Sequence, residues 1–134
     1  MLRTVIFFVL VAGTAAQIGR DYTDELMKLT TLTDQKKYQE AISGYRKLQS
    51  EAGTPEWLKA ASEYEIAEIY GTLRQPSNAV AALERAVQLG FDDCLTPRAS
   101  ERLAAVLPEP GAAQAIAKMQ ITEADFRELF WLKS

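Results

Sequence analysis

The chain has 134 residues, 15 Lys and Arg against 18 Asp and Glu, no His and one Cys. A net charge of −3 without a basic cluster argues against nucleic acid as a partner. The missing His removes Ser-His and Cys-His nucleophile pairs, His proton shuttles and most transition-metal sites, and one Cys excludes an intramolecular disulfide.

Met1 to Ala16 reads as a secretory signal. Arg3 supplies a positive start, Thr4 to Val11 is an uncharged apolar run, and Ala12 to Ala16 are small residues. Thr14 and Ala16 fit the two small positions before a cleavage, which predicts a mature start at Gln17. The apolar run is short for a membrane span of about 20 residues. Contact with a membrane is therefore expected only transiently, through this segment. An uncleaved anchor is the alternative. The expected location is exported, periplasmic or secreted, with residues 17–134 as one helical domain.

Helix signals dominate the rest. Asp21 to Leu32 places Tyr22, Leu26, Leu29 and Leu32 on one stripe. Asp34 is expected to cap a helix over Gln35 to Ser50, with Tyr38, Ala41, Ile42, Tyr45 and Leu48 on one face. Gly53 is a natural left-handed stop. Thr54-Pro55 reads as a cap with proline at the first helical position, opening a helix from Glu56 to about Leu73. Ser77 is expected to cap Asn78 to Leu89, with Gly90 as its stop. Thr96-Pro97 repeats the cap-and-proline start. Pro108 to Gly111 separates a last hairpin, and Thr122-x2-Asp125 resembles a capping box opening a final helix.

Two of these segments share a pattern. Ala41-x3-Tyr45 matches Ala79-x3-Leu83, 38 positions on, and Ile66-Ala67-x2-Tyr70 precedes the second. A fainter copy has Ala99-Ser100-x2-Leu103 and Ala112-x3-Ile116-x2-Met119. The spacing resembles the tetratricopeptide repeat, a helical hairpin of about 34 residues with small residues at its helix contacts. Glu63 stands at the family's early Trp, and Gly90 to Asp93 replace its closing Pro. The resemblance implies an all-α fold: antiparallel hairpins stacked as a short right-handed solenoid, with residues from Thr122 onward as a C-terminal capping helix. A generic helical bundle is the plainer alternative.

The resemblance also implies a function. In this family the first helix of each hairpin lines a concave groove that binds a protein or peptide. Carried to this chain, the groove holds Trp57, Ala61, Tyr64, Glu68 and Thr72, with Thr23, Leu26 and Thr30 from the first hairpin; the alternative for Trp57 and Tyr64 is that both simply pack against the first hairpin. The packing face holds Glu63, Ile66, Ala67 and Tyr70. Glu63, Glu65 and Glu68 otherwise read as a solvated face rather than as catalytic carboxylates. No enzyme activity, metal or cofactor is expected. A structural helical domain of a larger protein is the second reading. Phe126, Leu129, Phe130, Trp131 and Leu132 give the final helix an apolar surface wide enough for a partner or a second copy of the chain.

Overall fold

The computed structural model describes residues 21–119. The expected signal at Met1 to Ala16 and the expected final helix from Thr122 lie outside them. Among the described residues the fold is all-α: α1 (Thr23–Asp34), α2 (Tyr38–Ser50), α3 (Glu56–Thr72), α4 (Pro76–Gln88), a short α5 (Leu95–Ala99) and α6 (Pro110–Ala117). α1 packs on α2, α2 on α3, α3 on α4, and α4 on α6.

The first four helices form two equivalent hairpins. A shift of 38 positions carries the end of α1 onto the end of α3, and both ends of α2 onto both ends of α4. Core positions follow the same shift. Ala41, Tyr45 and Leu48 are buried in the first hairpin, and Ala79, Leu83 and Ala86 in the second. Ala67, Ala79 and Ala86, expected at helix contacts, are fully buried. With Leu58, Ile66, Ile69, Leu103 and Val106 they make one continuous core, where each large aliphatic side chain contributes about 1.5–3 kcal/mol by burial. Cys94 closes a small second cluster with Ile116 and Met119.

The turns inside the hairpins repeat as well. The Lys37 amide donates to the Leu32 carbonyl and the Lys36 amide to Thr33, at 2.8 and 2.9 Å. Gln75 and Arg74 do the same to Tyr70 and Gly71, at 2.9 and 3.1 Å. Phe91 and Gly90 do so to Ala86 and Val87 at the end of α4. Each is a helix end closed by one left-handed residue. That residue is Lys36 at φ 62°, Arg74 at φ 56° and Gly90 at φ 101°.

Several expected boundaries move. Asp34 ends α1 instead of capping α2, because the left-handed turn at Lys36 delays α2 to Tyr38. The Thr54 hydroxyl donates back to the Leu48 carbonyl at 2.8 Å and so ties the loop to α2, leaving α3 uncapped by a side chain. Ser77 lies inside α4, which starts at Pro76. At α5 the Asp93 carboxylate accepts the Thr96 amide at 3.2 Å.

The largest departure is the third hairpin. Its first helix stops at Ala99, where Ser100 turns extended at ψ 118°. Residues 101–109 continue as successive turns, and the Ser100 hydroxyl accepts the Leu103 amide at 3.3 Å. Leu103 and Val106 still reach the core, so the turns do the burial work of a helix without its regular backbone.

Candidate functional site

α3 is the central helix, and its carboxylates are not a common solvated face. Glu63 is 2% exposed. Its Oε1 accepts from Gln49 Nε2 at 3.3 Å and lies 3.8 Å from Arg46 Nη1. Its Oε2 lies 3.4 Å from Arg85 Nε. One buried carboxylate thus ties α2, α3 and α4 together. The solvated-face expectation fails here because α3 is covered on more than one side.

Glu68 is mostly buried and stands 3.9 Å from Arg102 Nη1. Glu65 is half-buried. Burial and the neighbouring Glu68 raise its carboxyl above the ordinary range, against a lowering pull from Arg102. Tyr45 is pushed up to about 12, chiefly by burial and then by Glu65.

The expected groove residues separate into four places. Leu26 and Trp57 come together. They line a pocket of about 240 Å³ between α1, α2 and α3, with Thr30, Tyr45, Leu58 and Glu65. Ala61 lies on the same wall. Trp57 is 65% exposed, an unusual state for so large an apolar ring. Tyr64 is elsewhere: it is 4% exposed and stacks on Phe91, with ring centroids 4.6 Å apart and planes 4° from parallel. It is a core residue and presents no surface to a ligand. Its hydroxyl is buried without a well-formed hydrogen bond, near Glu68 and Ser100. Burial and Glu68 push its hydroxyl pKa well above the ordinary phenol value.

Glu68 faces Arg102 and borders a shallow depression with Thr96 and Ser100. Thr72 is exposed at the far end of α3, where its hydroxyl donates to the Glu68 carbonyl at 3.0 Å. Fifteen helical residues separate it from Trp57, about 22 Å. It lines a different cleft with Arg74, Pro76 and Arg102.

The sequence reading missed Tyr45 and Glu65 as pocket residues. The signal was available in Trp57-x3-Ala61-x3-Glu65, which keeps one side of α3 as well as the chosen spacing did. Arg102 was missed because it comes from an irregular segment with no periodicity.

Among the described residues no group of three His, Cys, Asp or Glu side chains could hold a metal ion. No helix there is long and apolar enough to cross a membrane. Comparison with family models, with curated proteins and with solved structures found no match.

Proposed function

We propose that this chain is an exported interaction module of tetratricopeptide type, which binds a protein or peptide through the pocket between α1 and α3. The observation that carries the reading is Trp57, a largely exposed ring beside a pocket floored by Leu26, Tyr45 and Leu58. Exposed aromatic anchors at the mouth of an apolar pocket are typical of peptide-binding surfaces. The 38-residue equivalence of the two hairpins supports the repeat assignment, with the stack read as a short right-handed solenoid. A pocket of about 240 Å³ is smaller than the roughly 300–1,000 Å³ usual for small-molecule sites. It suits one side chain of a longer ligand.

Selection of peptides from a displayed library on the full chain tests this, followed by amide chemical-shift mapping of the selected peptides. Shifts centred on Leu26, Thr30 and Trp57, with capture weakened at least tenfold by Trp57→Ala, are expected. Binding that leaves those resonances unmoved would overturn the site. Export is tested separately by N-terminal sequencing of secreted material, which should begin at or near Gln17. Membrane-held protein retaining Met1 would overturn cleavage.

A further inference from the structure

We propose that the pocket between α1 and α3 takes an arginine side chain of the partner, its guanidinium paired with Glu65 and its aliphatic stem lying along Trp57 and Leu26. The inference rests on reading this pocket as the peptide site. Glu65 is the charged residue of the pocket lining. Among the described residues it makes no hydrogen bond and no ion pair. Arg102, whose charge pulls on Glu65 from a distance, stands 3.9 Å from Glu68 instead. The pocket therefore holds a half-buried carboxylate with no hydrogen bond or ion pair of its own, and leaving such a group unpaired is costly.

The rest of the wall fits the same occupant. Trp57 and Glu65 are eight residues apart on α3, about 12 Å along its axis. An extended arginine spans most of that distance, with stem at one end and head at the other. Its delocalised, weakly hydrated head packs against aromatic rings and pairs with a carboxylate through a planar fork. Leu26 and Leu58 line the same pocket, and apolar surroundings strengthen such a pairing. Burial already disfavours the charged form of Glu65, so an entering cation gains by relieving it.

The test uses peptides selected on the full chain, each synthesised with every arginine in turn replaced by citrulline, which keeps the shape and removes the charge. One replacement is expected to weaken binding at least tenfold, the scale of a hydrogen-bonded ion pair. That loss should disappear in Glu65→Gln, which should bind the arginine and citrulline peptides alike. Peptides that shift Leu26 and Trp57 but tolerate citrulline everywhere would overturn the arginine assignment and leave the peptide site standing. Peptides that never shift these residues would overturn both. The citrulline comparison needs no change to the protein, so it holds even if Glu65→Gln alters the fold.

Discussion

Lys36 and Arg74 hold the same left-handed backbone, φ 62° and 56°, at the same turn of two successive hairpins. Each closes a helix and sends the chain into the next one after a single further residue. A residue with a Cβ is strained there, and glycine is not. Lys36→Gly and Arg74→Gly should each stabilise the protein by up to about 1 kcal/mol, set against the greater freedom glycine gives the unfolded chain. Thermal melting should rise by a few degrees for each, and by more in the double variant. Gly90→Ala should act in the opposite sense, since Gly90 sits in open space and only its φ of 101° resists a side chain.

Gly71 and Gly44 separate a rigid contact from a soft one. A Cβ on Gly71 would run into the Arg102 carbonyl oxygen, a backbone atom. A Cβ on Gly44 would meet Leu29 Cδ2, the end of a flexible side chain. Gly71→Ala should cost about 1–3 kcal/mol, the usual range for overpacking. Gly44→Ala should cost clearly less, because the end of Leu29 can move aside where the Arg102 carbonyl cannot, and about 1 kcal/mol of helix propensity offsets what remains. Denaturant midpoints of the two variants check the order. Equal midpoints would remove the close approach of α3 to the 101–103 turn.

Glu63 predicts a different kind of loss. Removing it leaves the Arg85 Nε, already without a well-formed hydrogen bond, buried with no counter-charge. Breaking a buried pair costs about 3–5 kcal/mol. Arg46 and Arg85 are each more than a third exposed and can partly rehydrate, which lowers the expectation to about 2 kcal/mol for Glu63→Ala. Double-mutant cycles with Arg46→Ala and Arg85→Ala should show coupling to both.

Glu65 sets a pH dependence. Its folded pKa is raised, so the folded state holds the proton more tightly than the unfolded state does. Its favourable contribution is complete below the unfolded value, near 4.5, and is lost as pH rises through the higher folded value. Glu65→Gln removes that loss. The variant should melt higher than the wild type at pH 7, and the difference should vanish as pH falls toward 4. Melting curves across pH 4 to 7 check the sign, and a variant less stable at pH 7 would contradict it.

The hairpins were legible in the sequence because their contacts use small residues at fixed spacing. Ala41 and Ala79 mark equivalent core points whether or not the turns are understood. The turns themselves were not legible. Lys36 and Arg74 carry no glycine, so nothing in composition announces their left-handed backbone. The faces of α3 were half legible. Neighbours cover α3 on several sides, which erases the polar–apolar contrast on which face assignment depends. Tyr64 reaches the interior for that reason, beside Glu63, which is buried as its place on the packing face implied. Of the candidate site, Leu26 and Trp57 were named through the tetratricopeptide resemblance. Tyr45 was already spoken for as a core residue, and its edge role shows only once α1 and α3 are brought together.

Tyr64 carries the last prediction, because its ring and its hydroxyl act in opposite directions. The ring stacks on Phe91 and is buried, so it contributes as any core aromatic does. The hydroxyl is buried without a well-formed partner, and such a group costs about 1–3 kcal/mol when water is excluded. Tyr64→Phe keeps the ring and removes the cost. It should leave stability unchanged or raise it. Phe91→Ala removes the stacking partner and should cost about 3 kcal/mol, toward the lower end of such truncations because Phe91 is only partly buried. A stacked pair is worth about 0.5–1.5 kcal/mol beyond its burial, which a double-mutant cycle between Tyr64→Leu and Phe91→Leu should recover. Peptide binding should be indifferent to Tyr64→Phe, since the hydroxyl faces Glu68 and Ser100 rather than the pocket beside Trp57. Weakened capture by Tyr64→Phe at unchanged stability would place the ligand on the other side of α3, over Glu68, and would move the binding surface with it.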